Sequence, residues 1–451
     1  IIEHLDIKLE TYKRLVPFLK ASAILSSNTS GIPLKNLTEK MTSDLQERFM
    51  ITHFFNPPRY MQLLELVRGE KTSDQTYNTI AEFGESVLGK GIVHAKDTPN
   101  FIGNRIGIYG IMAAISLSKA YNMTVEEVDK LTGTISGRPK SATFRTADIV
   151  GLDTLKSVSL TTYDRAIEDE ERDVFKIPLI LNKLIESNRL GQKTKAGFYQ
   201  KNKDQTIYSV DFNTGEYNPM KKVRFDCFRV AKDSQKLKRK ILALCNGDDR
   251  GSKYFWEVTS RTLIYTANRI SEISDDIMNI DNAMRWGFGW DAGPFELWDM
   301  LGVETTTNRM AAEGKKIPEW VTKMISTNRK SFYEVHNGQK SYWCAIDNKA
   351  KIIHGNAKIF NLSLHKSSGH VLKRDLSASV NDLGDGILNV EFHSILQPLL
   401  NPIDSSYIEM INHAIDLIEK NEYRGMVLGH QGKNFSAGAN LNLFLELSKD
   451  E

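Results

Sequence analysis

The chain has 451 residues and a formal net charge of +3, with 41% hydrophobic and 25% charged residues. A chain of this length predicts about three domains, and so small a net charge argues against a nucleic-acid partner. Its three cysteines form no CxxC pair, which argues against a zinc site or a disulfide framework and favours a reducing, cytoplasmic location, and no apolar run approaches the roughly 18 residues of a membrane span.

The first segment alternates strands with a helix. Ile1-Ile2 is predicted to end a strand, Asp6 to Leu19 to form an amphipathic helix, and Ala23 to Leu25 to form a short buried strand. A polar loop is predicted over Ser26 to Gly31. This strand–helix–strand order predicts a parallel sheet of the α/β class, with a site at the carboxyl ends of its strands.

The next two apolar runs surround a buried acid. Phe49 to Phe55 is predicted to be a buried strand, which Pro57-Pro58 ends because proline cannot donate to a strand ladder. Glu65 lies inside the following apolar run, where an unpaired carboxylate costs several kcal/mol, roughly. His53 is an available partner if the turn folds the two runs together, and that pairing leaves one ring nitrogen free as a base. The pattern alone favours a structural histidine over a catalytic one.

Three glycines in the following helical region are a candidate phosphate site. The predicted elements there are a helix over Ser73 to Leu88, a strand over Gly91 to His94 and a helix over Pro99 to Tyr121. Because Gly103, Gly107 and Gly110 fall within the last helix, close backbone packing explains them better than a phosphate cradle. No strand-linked G-x-G-x-x-G turn, the pyrophosphate site of doubly wound domains, occurs in the sequence.

Three motifs in one order carry a family resemblance. They are Ser26-Ser27-Asn28-Thr29-Ser30, then His53-Phe54-Phe55-Asn56-Pro57 with Glu65 twelve residues after the histidine, and then Lys96-Asp97-Thr98-Pro99-Asn100-Phe101-Ile102-Gly103-Asn104-Arg105. Together they resemble the L-3-hydroxyacyl-CoA dehydrogenases. The resemblance implies a partial Rossmann-like, doubly wound NAD-binding domain over residues 1–97 and a helical dehydrogenase C-terminal domain over 98–200. It also implies NAD-dependent oxidation of an L-3-hydroxyacyl-CoA to the 3-ketoacyl-CoA in fatty-acid β-oxidation.

The resemblance also implies a role for each of four residues in catalysis. His53 takes the role of general base, and Glu65 orients it and stabilises the imidazolium. Ser30 and Asn104 position the substrate hydroxyl and the histidine. The implied substrate is an acyl-CoA thioester. A related 3-hydroxyacid dehydrogenase with a non-CoA substrate remains an alternative.

Three further residues are candidates for contacts with the substrate or the cofactor. Asn56 could support the substrate, although an asparagine before two prolines also suits a turn. Glu3 and Lys8 match family positions that contact the nicotinamide nucleotide, while a charged surface at a helix start explains them nearly as well. In the family the glycine-rich fingerprint lies upstream of the position of Ile1. We therefore expect a truncated chain. Alternatively, the protein is a catalytically incomplete remnant, or a subunit that needs a separate fragment to bind NAD.

The helical pattern recurs later in the chain. After a polar linker predicted over residues 201–253, a second, degenerate helical repeat is predicted over 254–313. The recurring pairs are Asn104-Arg105 with Asn268-Arg269, Val128-Asp129 with Ile280-Asp281, and Phe144 to Gly151 with Phe295 to Gly302. A second copy can bury the apolar face through which single-copy members dimerise, so a monomer is compatible with the sequence. Its role is predicted to be structural, with Trp286, Trp290 and Trp298 on a packed face.

The last segment resembles a second family. A connector is predicted over residues 314–380, followed by a strand over Ile387 to Phe392, a helix over Ser405 to Lys420 and a strand over Gly425 to Leu428. The sequence Asn434-Phe435-Ser436-Ala437-Gly438-Ala439-Asn440-Leu441 resembles the oxyanion loop of the crotonases, or enoyl-CoA hydratases. The resemblance implies a partial crotonase-like domain over 381–451, with the backbone N–H of Ala439 as donor and a helix N-terminus behind it. The chain thus resembles a multifunctional dehydrogenase–hydratase, and we expect no hydratase activity from this part alone.

Overall fold

The computed structural model describes residues 1–202, 204–232, 234, 236–336, 339–353, 360–398, 400–432 and 434–441. The chain divides into two compact units, one formed by Ile1–Phe332 with Trp343–Ala350 and the other by Tyr333–Tyr342 with Lys351–Glu451. Within the described residues, no helix combines the length and the apolar character needed to cross a membrane.

A mixed four-stranded sheet lies in the first unit. Its strands are β1 (Leu25–Ser27), β2 (Phe49–Phe54), β3 (Leu63–Arg68) and β4 (Gly91–Ala95), in the order β1-β2-β3-β4. β1 is parallel to β2 and β3 is parallel to β4, whereas β2 and β3 are antiparallel. The predicted parallel sheet is therefore wrong at its centre. The connection between β2 and β3 is a short turn, and parallel neighbours need a crossover of a dozen or more residues, roughly.

The start of the chain differs from the prediction in two places. Ile1 and Ile2 form no strand, and α1 spans Leu5–Leu15, followed by a 3₁₀ turn over Val16–Phe18. β1 begins at the last residue of the predicted strand and continues through Ser27. Polar residues are accommodated in β1 because the Tyr12 hydroxyl donates to Ser27 Oγ at 2.9 Å, which satisfies a buried hydroxyl within the predicted polar loop.

Short helices connect the strands, and one long helix follows them. The connecting helices are α2 (Leu34–Thr38), α3 (Ser43–Glu47) and α4 (Asp74–Glu82), which continues as a π-helical turn over Phe83–Val87. Helix α5 (Gly103–Ala120) is buried over most of its length. The prediction that Gly103, Gly107 and Gly110 lie in a helix is confirmed. No phosphate cradle is formed by them, because aromatic rings fill the space above the first two.

The two helical segments share a capping device. After α5 the chain forms α6 (Val125–Leu131), α7 (Phe144–Val150), α8 (Leu152–Arg165) and α9 (Leu179–Glu186). Asp129 on α6 accepts from the backbone N–H of Phe144, at 2.6 Å, where α7 begins. Asp281 on a later helix accepts from the N–H of Phe295 at 2.8 Å in the same way. Each acid therefore satisfies amides that a helix start leaves without internal partners.

The predicted linker is wrong, because the described residues of the range 201–253 form strands and helices. Strands β5 (Tyr199–Lys201), β6 (Ile207–Val210) and β7 (Tyr217–Pro219) form an antiparallel sheet. They are followed by α10 (Asp226–Lys232) and α11 (Leu237–Asn246). The lysines that suggested a linker lie beside apolar residues at helical spacing, and α11 buries Ile241, Leu244 and Cys245.

Five further helices form what we call the second helical segment. They are α12 (Arg250–Asn268), α13 (Ile277–Gly287), α14 (Pro294–Leu301), α15 (Val303–Ala312) and α16 (Glu319–Ser326). The predicted tryptophan face is wrong, because the three rings lie in different surroundings. Trp298 is fully buried against Phe332, Trp286 lies against Gly91, and Trp290 stacks under the Arg138 guanidinium.

A buried ion-pair network joins the second helical segment to α5. Arg105 Nη2 and Asp169 Oδ2 are 2.7 Å apart, and both side chains are fully buried. The Tyr265 hydroxyl donates to the same carboxylate oxygen at 2.7 Å, and Arg269 lies 3.4 Å from it. A buried charge is tolerated only when it is paired in this way, so the network fixes α5 against α12.

Replacing Asp169 by alanine is expected to lower the free energy of unfolding by about 1–3 kcal/mol, because the buried Arg105 guanidinium loses its fully buried partner and keeps Glu272, at 2.9 Å, at the edge of the network. Asp173→Ala is the matched control, since Asp173 pairs with Lys176 at the surface, and it should cost less than about 1 kcal/mol. Urea unfolding of both variants measures the difference. Equal losses in the free energy of unfolding would show that the buried ion pair stabilises the protein no more than an exposed one.

A second four-stranded sheet lies in the other unit. It has β11 (Val371–Arg374), β12 (Ala378–Asp382), β13 (Ile387–Phe392) and β14 (Gly425–Leu428) in sequence order, and α18 (Ser405–Glu419) covers it. The connector predicted over 314–380 contains α16, the strands β8 (Tyr333–His336), β9 (Gln339–Cys344) and β10 (Lys349–Ile352), and α17 (Leu362–Ser367). Its predicted end lies inside β12, so the sheet begins before the predicted boundary. The core of this sheet includes Val380, Leu388, Val390, Tyr407 and Met410. The predicted strand–helix–strand order over 387–428 is confirmed.

Candidate active site

The antiparallel pairing of β2 and β3 brings His53 and Glu65 together. The two residues are directly opposite partners in the register, so their side chains lie on the same face of the sheet. His53 Nδ1 is 2.6 Å from Glu65 Oε2. His53 is 3% exposed and Glu65 is 0% exposed. The expected partnership between an acid in an apolar run and a histidine at a strand end is therefore present in the structure.

Two backbone amides hold the other oxygen of Glu65. Glu65 Oε1 accepts from the N–H of Gly103 at 2.7 Å and from the N–H of Ile102 at 3.1 Å. Both amides belong to the start of α5, where the partial positive charge of the helix dipole favours a carboxylate. Sequence reasoning missed these donors, because a backbone amide has no side-chain signature. No residue pattern in the sequence indicates them.

The hydrogen bonds of Glu65 fix the tautomer of His53. An ionised carboxylate only accepts hydrogen bonds, so Nδ1 must carry the proton that is shared with Glu65. Nε2 is then left with its lone pair, and Ser30 Oγ lies 3.1 Å away as its donor. A neutral imidazole held in this state has a proton acceptor that points to the loop after β1. An imidazole held in this way can accept a proton through Nε2.

Two phenylalanine rings enclose the imidazole. The ring centroids of Phe55 and Phe101 lie 4.9 and 5.4 Å from that of His53, and both rings meet it edge to face. Phe101 is 1% exposed. These apolar neighbours were quoted in the motifs but were given no role. They restrict water around a polar pair whose interaction is stronger in a dry environment.

Glu3 and Lys8 lie beside the loop that carries Ser30. Glu3 Oε1 accepts from the Thr29 hydroxyl and from the N–H of Ser30, the latter at 3.0 Å. Its other oxygen is 3.2 Å from Lys8 Nζ. Burial raises the pKa of Glu3, but the Thr29 hydroxyl, the Lys8 charge and the Ser30 amide outweigh it, and the net shift is downward. Glu3 therefore orders this loop as a carboxylate.

We expect Glu3→Gln to loosen the Ser30 loop and to lower the melting temperature at pH 7. A carboxylate whose pKa is lowered by folding contributes stability above its ordinary value of 4.5 and loses it as the pH falls through the lowered pKa. The difference in melting temperature between wild type and variant should thus narrow from pH 7 to pH 4. Glu10→Gln, at an exposed position of α1, is the control. A difference in melting temperature between wild type and Glu3→Gln that does not change with pH would contradict the role of Glu3 as a carboxylate.

The two asparagines of the prediction have different surroundings. Asn104 lies in the first turn of α5, is partly exposed, and makes no side-chain hydrogen bond to another described residue. Its amide is therefore available to a ligand. Asn56 is exposed beyond the end of β2 and is likewise without such a bond within the described chain. Asn28, which was quoted in a motif without a role, instead accepts from the N–H of Phe54 at 2.8 Å and secures the end of β2.

Charged and hydrogen-bonding groups lie together beside the Ser30 loop. The carboxyl ends of β1 and β2 carry the Ser30 loop and His53, and Lys8 is 4% exposed beneath the loop with Glu3 as its partner. Pyrophosphate donors are not supplied by α5, because a Cβ on Gly103 would lie 2.6 Å from Phe55 Cζ. Among the described residues, no three potential metal ligands converge.

The predicted oxyanion loop is held by the turn before α18. The N–H of Ile403 donates to Gly438 O at 2.9 Å, and the N–H of Asn440 donates to Ile403 O at 2.8 Å. Ala439 lies between these bonds, is exposed, and its N–H donates to no other described residue. Gly438 has a φ of 99°, which suits glycine. Residues 442–451, which follow the loop and where the helix behind it is expected, lie outside the described residues.

Comparison with known proteins gives two matches to one family. The profile described as "3-hydroxyacyl-CoA dehydrogenase, NAD binding domain" matches residues 1–98. The profile described as "3-hydroxyacyl-CoA dehydrogenase, C-terminal domain" matches residues 101–201 and 258–342. The "Probable 3-hydroxyacyl-CoA dehydrogenase" of Bacillus subtilis (strain 168) is 40% identical over 451 residues, which are 100% of this chain and 56% of that protein.

Two further proteins show the extent of the likeness. The "Putative fatty acid oxidation complex trifunctional enzyme" of Rickettsia prowazekii is 27% identical over 100% of this chain and 58% of its own length. The chain thus spans just over half the length of these curated relatives. A crystal structure of 3-hydroxybutyryl-CoA dehydrogenase from Escherichia coli K12 matches with a TM-score of 0.51 and 19% identity, over 72% of this chain and 80% of that one. This last likeness concerns the fold alone.

Proposed function

The chain belongs to the 3-hydroxyacyl-CoA dehydrogenase family, and on that premise we propose that the protein oxidises L-3-hydroxyacyl-CoA to 3-ketoacyl-CoA with NAD, as a step of fatty-acid β-oxidation. The single observation that carries this proposal is the buried His53–Glu65 pair, whose 2.6 Å contact leaves Nε2 of the imidazole with a lone pair. Oxidation of an alcohol requires a base at this position, because the hydroxyl proton must leave as the carbonyl forms.

His53 acts as the base in this proposal. Ser30 Oγ lies 3.1 Å from Nε2, and the substrate hydroxyl takes its place as the donor to Nε2, with Ser30 then accepting or donating beside it. Nε2 receives the hydroxyl proton, and the resulting imidazolium is stabilised by Glu65, whose charge is held by the Ile102 and Gly103 amides. NAD, when bound, supplies the chemistry of accepting the hydride from C3 of the substrate.

The other predicted residues place the two ligands. Asn104 is proposed to donate to the substrate oxygen at C3, which is supported by its free side-chain amide at the start of α5. Asn56, which is exposed at the turn after β2, is proposed to support the substrate. Glu3 and Lys8 are proposed to contact the nicotinamide nucleotide through the groups that now face each other and the Ser30 loop.

The second helical segment is proposed to be a degenerate copy of the first. The paired helix caps of Asp129 and Asp281 support this, as does the match of one family profile to residues 101–201 and 258–342. A copy within the same chain buries an apolar face that otherwise needs a partner subunit. The protein is therefore proposed to function without dimerising.

The last part of the chain is proposed to begin a crotonase-like domain, with the backbone N–H of Ala439 as an oxyanion donor. Support comes from its exposed N–H, from the bonds that hold its loop, and from the name of the Rickettsia relative as a trifunctional enzyme. Two activities on acyl-CoA thioesters within one polypeptide would explain why an acyl-CoA, and not a free hydroxy acid, is the proposed substrate.

An assay of NADH formation tests the proposed function. The full-length gene product is incubated with NAD and L-3-hydroxybutyryl-CoA, its D-isomer, or free L-3-hydroxybutyrate. NADH should form with the L-thioester and not with the other two. Equal rates with the free acid would contradict the acyl-CoA assignment, and no NADH with any of the three would contradict the dehydrogenase.

A further inference from the structure

We propose that Phe288, in the second helical segment, is a positioning residue for His53, through the ring of Phe55. The inference rests on the proposed function for the meaning of His53 as a base. It gives the second helical segment a part in positioning the base, beyond the structural role predicted from sequence.

Three aromatic rings connect the second helical segment to the base. The imidazole of His53 meets Phe55 at 4.9 Å and 64°. Phe55 in turn meets Phe288 at 6.1 Å and 65°. Edge-to-face contacts of this kind have a preferred geometry, so a shift of one ring moves its neighbour. Phe288 is thus one ring removed from the imidazole.

Three glycines make room for these rings. A Cβ on Gly107 would lie 2.0 Å from Phe288 Cζ, and one on Gly103 would lie 2.6 Å from Phe55 Cζ. A Cβ on Gly287 would lie 3.3 Å from Phe55 and 2.5 Å from Leu63 Cδ2. Since interiors are close-packed, the two rings have no free space to move into on these sides. Helices α5 and α13 therefore clamp Phe55 from both directions.

The segment before Phe288 is attached to β4 and to the residue after it. Asn279 Oδ1 accepts from the N–H of His94 at 2.9 Å, and the N–H of Lys96 donates to Ile273 O at 3.1 Å. The Trp286 ring fills the space above Gly91, where a Cβ would lie 2.4 Å from it. These contacts set α13 relative to the same sheet that carries His53. The position of Phe288 is thereby fixed in the frame of the active site.

The packing of Phe55 between α5 and α13 restrains tilting of the His53 ring, a motion that the hydrogen bonds of His53 restrain only weakly. Glu65 and Ser30 hold the two ring nitrogens, which fixes the line between them. Hydrogen bonds tolerate a broad range of angles, so tilting of the ring about that line costs little. The rings of Phe55 and Phe101 lie against the imidazole and limit the tilt. Because near-attack geometry is sensitive to displacements of about 1 Å, this tilt affects turnover more than binding.

Gly107→Ala is the test variant, because its methyl group must displace the Phe288 ring. Gly110→Ala is the control, one turn later on α5, where the nearest atom to a new Cβ is 4.0 Å away. The double variant Gly107→Ala/Phe288→Leu removes the tip of the ring and relieves the clash. For each, kcat and KM are measured with L-3-hydroxybutyryl-CoA. The Cε1–H signal of His53 is measured by NMR on protein with ¹³C-labelled histidine rings and assigned with His53→Ala.

Gly107→Ala should lower kcat about 10-fold with KM changed less than about 2-fold, and should move the His53 signal, since the ring currents of Phe55 act on it. The double variant should recover most of kcat and return the signal, and Gly110→Ala should resemble wild type. An unmoved signal, or a kcat loss without recovery in the double variant, would overturn the proposal. If wild type itself shows no dehydrogenase activity, the proposed function fails, while the NMR signal still decides whether Phe288 positions His53.

Discussion

Replacing His53 by alanine is expected to lower kcat about 100-fold or more, with KM for the acyl-CoA nearly unchanged. The imidazole is the base that Glu65 holds at 2.6 Å with its Nε2 lone pair free. Its removal leaves only water to accept the hydroxyl proton. The substrate still binds, because the thioester and the CoA moiety do not need the imidazole. Steady-state NADH formation from L-3-hydroxybutyryl-CoA by the full-length gene product measures the loss.

His94→Ala is the matched control for this substitution. His94 lies on β4 of the same sheet and contacts the Tyr77 hydroxyl, outside the proposed site. Its replacement removes an imidazole of the same size and should leave kcat within about 3-fold of wild type, as surface substitutions generally do. If His53→Ala kept the wild-type rate, the imidazole would have no part in the chemistry. The Glu65 contact would then be structural.

Replacing Glu65 by glutamine is expected to lower kcat by about 10²–10⁴-fold, although the side chain keeps its size. A glutamine that presents its NH₂ group to Nδ1 makes Nδ1 the acceptor, and the imidazole proton then moves to Nε2. In that tautomer Nε2 has no lone pair for the substrate proton. The charge that stabilises the imidazolium is also lost. The measurement is the same NADH assay, with urea unfolding to confirm that the variant is folded.

Glu126→Gln separates this effect from the loss of any buried carboxylate. Glu126 is 6% exposed, and it accepts from the Ser209 hydroxyl at 2.8 Å and from the N–H of Lys221 at 3.0 Å, outside the proposed site. The Glu126→Gln variant should be less stable than wild type but should keep the wild-type turnover per folded molecule. If Glu65→Gln retained kcat within about 3-fold, Glu65 would stabilise the fold without setting the tautomer of His53.

The sequence was most informative where a residue type conflicted with its surroundings. Glu65 in an apolar run requires a partner, and the turn after Pro57 makes His53 the nearest candidate. The register of β2 and β3 supports this reasoning, since the two residues are direct partners. A conflict between polarity and pattern therefore predicts a contact even when the fold is only partly understood.

The sequence was less informative where backbone groups or distant segments decide the structure. The Ile102 and Gly103 amides bind Glu65 through atoms that every residue possesses, so no residue pattern indicated them. The direction of β3 depends on a turn too short for a crossover, which strand propensity does not encode. Residues 201–253 looked like a linker because their charged residues dilute the apolar spacing that packs α11.

The second helical segment gives the clearest case of a role that sequence could not assign. Its likeness to the first segment suggested only a packing partner. Contacts of Asn279 with β4 and of Phe288 with Phe55 extend it to the wall of the proposed active site. The residues in these contacts are separated by about half the length of the chain, and no local sequence pattern predicts such contacts. They depend on glycines, because a side chain at these positions would overlap the aromatic rings.

The protonation state of the two His53 nitrogens tests the central claim most directly. Long-range ¹⁵N–¹H correlation spectra of protein with ¹⁵N-labelled histidine rings, assigned with His53→Ala, distinguish the two tautomers where the imidazole is neutral. The account predicts a proton on Nδ1 and a bare Nε2 in wild type, with the opposite tautomer in Glu65→Gln. A proton on Nε2 in wild type would contradict it, because the imidazole could not then accept the proton of a substrate hydroxyl.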